Sequence, residues 1–215
     1  MIIVIQCAAT KKPGAGYLIS PDGKPVIFVT NPDEAPNNTS CLYARPDDRT
    51  ENDRTWRDLL EAYNEAEENP LGLYQAYYLY ENQIYNRLVD RFDAKSVYIL
   101  SAGWGLISAS FLTPYYDITF SQSAEPYKRR RNRDRSYRDL CMLPADSGDE
   151  VIFFGGKDYV RLFCALTHAV KGVRRIFYNA HPPHAPGCRL ERFVTPTKTN
   201  WHYECAKRFL AEHAG

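Results

Sequence analysis

The stretch Tyr98-Ile99-Leu100-Ser101-Ala102-Gly103-Trp104-Gly105-Leu106-Ile107 decides the fold class. It begins as an uninterrupted apolar run and breaks abruptly into small residues around a tryptophan. A run without polar alternation fits a strand covered on both faces, as in a parallel sheet flanked by helices. Its strand is expected over Ser96 to Ser101, and Met1 to Gln6, Glu150 to Phe154 and Arg174 to Tyr178 read the same way. Each is followed by a Gly, Ala or Pro break and then a helical pattern. Asp158 to Val170 sets Val160, Phe163, Cys164 and Thr167 on one face at i, i+3, i+4 spacing. Asn200 to His213 reads as a last helix capped by Thr199 or Asn200. Strands alternating with helices predict an α/β fold, three-layer and doubly wound, on a mainly parallel four-stranded sheet.

The segment from about 13 to 95 interrupts that rhythm and reads as an insertion between strands one and two of a single domain. Pro, Asn, Asp and Gly up to Asp53 suggest loops and a short hairpin, Gly16 to Ser20 with Val26 to Thr30. Thr55 to Glu68 and Leu73 to Phe92 read as helices. The second carries an aromatic stripe of Tyr74, Tyr77, Tyr78, Tyr80 and Tyr85. That stripe either packs on the sheet with hydroxyls at the rim or offers a base-stacking platform.

Composition narrows the classes. At 215 residues the chain can build one well-cored domain, and 44% hydrophobic with 25% charged residues is ordinary for a globular protein. A net charge of +1 gives no global pull towards a polyanion, but seven basic residues crowd Lys128 to Arg138. No apolar run reaches the ~20 residues that span a bilayer. The amino terminus reads as a strand leading to Lys11-Lys12-Pro13 rather than a signal peptide, so the expected location is cytoplasmic. Cysteines 7, 41, 141, 164, 188 and 205 form no CxxC pair and are expected as free thiols. A zinc set of His181, His184, Cys188, His202 and Cys205 has tolerable spacings but lacks tight pairing, and no metal is expected.

In an open α/β sheet ligands bind outside the strand C-termini, so the residues following each strand are the candidates. After strand one, Cys7 lies in a small-residue loop that ends in Lys11, a candidate phosphate contact. After strand two come Ser101, Trp104 and Gly105, then Pro114-Tyr115-Tyr116-Asp117, in which the tyrosines can sandwich a base and Asp117 can orient water or stabilise a developing cation. After strand three, Gly155-Gly156-Lys157-Asp158-Tyr159 opens a helix whose N–H groups suit an anion, with Gly156 and Tyr159 in the pocket. It is not a Walker A loop. After strand four, Asn179 and His181 lead into a proline-stiffened loop ending in His184. Each group also has a plain structural account: a surface turn, a tryptophan plug, a cap, a core histidine. The run Lys128, Arg129, Arg130, Arg131, Arg133, Arg135 reads as a grip on phosphates or as a solvated loop.

The order of these strand-end signals is similar to that of the uracil-DNA glycosylase superfamily. His181-Pro182-Pro183-His184-Ala185-Pro186 resembles its His-Pro-Ser-Pro-type loop, and Phe154-Gly155-Gly156-Lys157 its third strand-to-helix junction. The resemblance covers the four strands and the last helix, about half the chain. It implies that His181 stabilises a departing base. The family's Asp-Pro-Tyr motif is absent at Gln6-Cys7-Ala8, which leaves Asp117 as the candidate water-activating carboxylate. Leu-Ser-Ala-Gly-Trp-Gly-Leu and Pro-Tyr-Tyr-Asp also look like glycosylase-like domains found with base-modification and phage-conflict systems, which implies a hypermodified base.

The resulting expectation is a cofactor-free DNA N-glycosylase acting on a base flipped out of duplex DNA. Asp117 and His181 would be catalytic, and Cys7, Ser101, Trp104, Gly105, Tyr115, Tyr116, Gly156, Tyr159 and Asn179 would bind the base. Lys11, Lys128 to Arg131, Arg133, Arg135 and His184 would hold DNA. A lyase step through Lys11 or Lys157 stays open. So do two rivals, a hydrolase or transferase of free nucleotides or nucleosides and a non-catalytic nucleic-acid-binding module.

Overall fold

The computed structural model describes residues 1–66, 68–131, 134 and 136–213. Its strands are β1 (Ile2–Gln6), β2 (Leu18–Ile19), β3 (Pro25–Phe28), β4 (Leu42–Ala44), β5 (Tyr74–Gln75), β6 (Val97–Ser101), β7 (Gly105–Ser108), β8 (Leu112–Thr113), β9 (Leu140–Cys141), β10 (Val151–Phe154), β11 (Arg174–Tyr178) and β12 (Cys188–Arg192). Its helices are α1 (Trp56–Glu65), α2 (Ile84–Phe92), α3 (Lys157–Leu166) and α4 (Trp201–Glu212).

The central sheet has seven strands, not four, in the order β12-β11-β10-β1-β6-β7-β9. All neighbours are parallel except β6 and β7, which turn back on each other through Gly103-Trp104. The four continuous apolar runs became its middle, with Ile3 opposite Val97 and Val4 opposite Phe153. The three added strands left weaker signals. β12 reads Cys-Arg-Leu-Glu-Arg because it is an edge strand with no fully buried residue, β7 continues the apolar stretch of β6, and β9 has only two residues.

Successive side chains on a strand face opposite ways, and β10 shows what each face meets. Phe153 stacks on Phe163 of α3 at 4.7 Å between ring centroids, while Phe154 meets Phe209 of α4 at 5.3 Å. The segment between β1 and β6 is more than an insertion, because α2 packs on β1, β6 and α4. It therefore supplies the crossover helix that a parallel β1–β6 pair requires. The predicted helix over Leu73 to Phe92 is shorter: Tyr74–Gln75 pair with β8, and the helix starts at Ile84. Thr55 and Asp58 cap α1 reciprocally, Thr55 Oγ1 accepting from the Asp58 N–H at 3.1 Å and Asp58 accepting from the Thr55 N–H at 2.9 Å.

β1 lies in the middle of the strand order. Its crossover leads to β6 on one side, while β10 and β11 lie on the other. The loops after β1 and β10 therefore part and leave a crevice between them.

Candidate functional site

A cleft of ≈ 610 Å³ opens at that point. β1 and its loop contribute Gln6 through Thr10, the β10–α3 junction contributes Gly156, Asp158 and Tyr159, and α4 contributes His202 and Tyr203 from its first turn. Glu81, Asn82, Thr119 and Ser121 complete the rim. The two walls are tied at the floor, where the Gly156 N–H donates to Gln6 Oε1 at 2.6 Å. Cys7 Sγ lies 3.2 Å from the Tyr159 hydroxyl and accepts from the Ala102 N–H at 3.4 Å. The Tyr85 hydroxyl donates to the Gln6 carbonyl at 2.8 Å and lies 3.1 Å from the Tyr203 hydroxyl.

Burial sets the chemistry of these groups. It pushes the Tyr85 and Tyr159 phenols well above the usual tyrosine range, so they act as neutral hydroxyls. It pulls His202 down to about 4, so its imidazole is uncharged at neutral pH. His202 is 3% exposed, and its Nε2 has no hydrogen-bond partner among the described residues. A buried polar atom left unpaired is costly, and this one belongs to a residue lining the cleft. Asp158 is half-buried in the first turn of α3. There its carboxylate suits the positive end of the helix dipole, and among the described residues it forms no ion pair.

Of the residues singled out in the sequence, Cys7, Gly156 and Tyr159 line this cleft. Ser101, Trp104, Gly105 and Tyr116 instead fill the neighbouring strand end. Trp104 and Tyr116 are fully buried, and Trp104 meets Phe28 edge-on at 5.0 Å. Tyr116 closes a hydroxyl cluster with Tyr80 at 2.8 Å and Ser101 at 2.9 Å. Ser101 Oγ also accepts from the Gly103 and Trp104 N–H groups at 3.2 and 3.1 Å. Gly105 has φ +95°, and a Cβ there would stand 2.4 Å from the Leu140 carbonyl, so the glycine serves the β7–β9 pairing. Trp104 and Tyr116 therefore act as packing, and neither presents a face to a base.

Asp117 lies away from the cleft lining, paired with Lys128 Nζ at 2.8 Å. Tyr115 is half-buried against Tyr17 at 5.6 Å. His181 and His184 are exposed on the loop after β11, at the same edge of the sheet as the cleft but outside its lining. Asn179 donates to the Thr197 carbonyl at 3.4 Å. Among the described residues no group of three His, Cys, Asp or Glu side chains is arranged to hold a metal.

The basic run is divided. Arg130 is buried, forms a two-pronged pair with Asp139 at 2.7 and 2.6 Å, and donates to the Ala102 carbonyl at 2.8 Å. This corrects its reading as a phosphate grip, because a group so enclosed cannot reach DNA. Lys11 is also buried, and Lys128 is held by Asp117 and Glu125. Arg129 and Arg131 share a surface hollow with Thr30, Asn31 and Asp134. Arg133 and Arg135 lie outside the described residues.

Sequence reasoning missed Arg57, which is fully buried in α1. It pairs with Asp47 at 2.7 and 2.9 Å and donates to the Gly103 and Trp104 carbonyls at 3.1 Å each, which fixes the Gly-Trp-Gly turn from below. The one available signal was an arginine beside Trp56 on the apolar side of a helix. It also missed Asp158, Glu81 and His202 as cleft residues: Asp158 reads as first-turn helix polarity, Glu81 fell inside the helix expected over Leu73 to Phe92, and His202 entered only as a zinc candidate. Comparison with protein-family models, curated proteins and solved structures finds no match to this chain.

Proposed function

We propose that the protein hydrolyses the bond between a nucleobase and its sugar, with a modified base in double-stranded DNA as the substrate. The observation that carries this reading is the cleft at the β1/β10 switch point, of ≈ 610 Å³ and lined by two carboxylates, Asp158 and Glu81, a neutral imidazole and several hydroxyls. Its volume suits a nucleoside-sized ligand. Its polar groups are mostly neutral, as reading the edge of an uncharged ring requires. Asp158 takes the place first given to Asp117, orienting water or stabilising the cation-like sugar, because Asp158 lines the cleft and Asp117 is spent on Lys128. Arg129 and Arg131 would meet phosphates, and the exposed loop His181–Pro186 would press the duplex from the same sheet edge. The resemblance to uracil-DNA glycosylases belongs to this reading. So do a three-layer doubly wound fold, supported by Phe153 and Phe154 meeting different helices, and a cytoplasmic location.

A free nucleoside or nucleotide as substrate is favoured by one specific finding, the loss of Arg130, Lys128 and Lys11 from the basic surface. One experiment separates the two readings. Purified protein is incubated with duplexes carrying unmodified, uracil and hypermodified bases, and in parallel with free nucleosides and 5′-nucleotides, and released base is quantified. Release from one duplex, lost in Asp158→Asn, supports the DNA glycosylase. Release from free nucleosides or nucleotides alone moves the substrate class. Binding of DNA with no release from any substrate would leave a binding module.

A further inference from the structure

Cys164 of α3 and Cys188, the first residue of β12, bring their sulfurs to 3.9 Å of each other. Both are free thiols and only half-buried. The sheet register explains the meeting. Residues two apart on a strand share a face, and Phe153, which stacks on α3, lies opposite Ile176. Arg174 therefore faces α3 as well, and it stands directly opposite Cys188. Its guanidinium bridges the two segments that carry the cysteines. Nη2 donates to the Pro186 carbonyl at 3.1 Å, just before Cys188, and Nη1 to Thr167 Oγ1 at 3.5 Å, just past Cys164. Gly187 makes room for it, since a Cβ there would stand 2.6 Å from Nη2. A fixed positive charge beside a thiol favours the reactive thiolate. The other cysteines are placed differently: Cys7, Cys41 and Cys205 are buried, and Cys141 donates to the Leu166 carbonyl at 3.1 Å.

We propose that Cys164 and Cys188 form a modification site, a thiol pair that hydrogen peroxide oxidises to a disulfide. The inference is independent of the N-glycosidase reading. Burial and the neighbouring Cys188 push the Cys164 thiol up, with Arg174 opposing, so Cys188 attacks first and Cys164 resolves. The Cys188 thiolate forms an S–O bond, the O–O bond breaks, and the far oxygen takes up a proton and leaves as water. The Cys164 sulfur then forms the S–S bond, and the Cys188 S–O bond breaks. The departing hydroxide carries off the Cys164 proton as a second water. Two thiols are oxidised and one peroxide is reduced to two waters. The sulfurs must close to about 2.05 Å, which rotation of the side chains about their Cα–Cβ bonds can supply. The bond would tie the entry of the edge strand β12 to α3 and close the chain across β11 and the loop carrying His181 and His184. A link across that loop restricts the unfolded chain and stabilises the fold.

The test treats the full-length reduced protein with hydrogen peroxide, blocks remaining thiols with an alkylating reagent and maps peptides by mass without reduction. The expected product joins the peptides carrying Cys164 and Cys188, and dithiothreitol reverses it. Oxidation should also raise the midpoint of thermal unfolding by at least about 3 °C. The double variant Cys164→Ser/Cys188→Ser should show neither the linked peptide nor the rise under the same treatment, which separates the bond from oxidation elsewhere. Mapping of the wild-type chain decides the case even if the variant fails to fold. Recovery of both cysteines as alkylated thiols, or links confined to other cysteines, overturns the proposal. A linked peptide whose formation leaves the midpoint unchanged or lowers it overturns it too, because the folded positions would then not accept the bond.

Discussion

Two strand ends at the same edge of the sheet have opposite fates. After β6, the chain fills its own crevice: Trp104 and Tyr116 plug it, Arg57 and Arg130 tie down its carbonyls, and Ser101 satisfies its amides. After β1 and β10, the loops carry Ala8, Ala9 and Gly156, which are too small to fill the gap, and the gap stays open. Aromatic and ionisable residues at a strand end are thus weak evidence of a ligand site. A tryptophan flanked by glycines can be a sign that the fold has occupied the place itself, and small residues facing a helix N-terminus are the better sign of a vacancy.

The comparison can be broken first at the filled end. Arg57→Met takes the ion-pair partner from Asp47 and one donor each from the Gly103 and Trp104 carbonyls, and it should cost about 3–5 kcal/mol in urea unfolding. A loss below about 1 kcal/mol would mean that the plug is not held from beneath. At the open end, Asp158→Asn should leave the unfolding curve nearly unchanged while base release falls roughly 100-fold or more. Equal loss of stability and activity would place Asp158 among the structural groups.

His202 sharpens the contrast through pH. Its pKa is about 4 in the folded chain, below the ordinary 6.5, so the unfolded state takes up the proton first. Its contribution to stability is therefore full above pH 6.5 and falls as pH drops towards 4, by at most about 1.4 kcal/mol per pH unit. Unfolding curves from pH 7 to 4.5 should show this slope, and His202→Leu should flatten it. The smallest effect is expected at Asp117. Its pair with Lys128 is a quarter exposed on both sides, so Asp117→Asn should cost about 0.5–1 kcal/mol and leave base release within about twofold. Abolished release would return the catalytic carboxylate to Asp117.

Much of the fold could be read from the chain because its central strands are covered on both faces. That burial demands uninterrupted apolar runs such as Ile2 to Ile5 and Val97 to Leu100, and such runs stand out. The edge strand β12 did not, because exposure on both faces admits Arg189 and Arg192. Tyr74 to Tyr80 misled because tyrosines at i, i+3, i+4 mimic a helix stripe. Here that spacing serves a strand end and turns held by backbone bonds from Ala76 and Tyr77 to Phe111 and Ala109. The site was legible in position and less so in membership. Cys7, Gly156 and Tyr159 follow strand ends directly, but His202 and Glu81 reach the cleft only through the packing of α4 and the turn before α2.

The sequence by itself determined a mostly parallel α/β sheet and the edge at which the cleft opens, since apolar runs and the breaks after them are local properties. The tertiary structure alone decided which strand end is open. Whether a tryptophan plugs a crevice or lines it, and whether an arginine faces water or Asp139, depends on side chains brought together from distant parts of the chain. No local pattern contains that information.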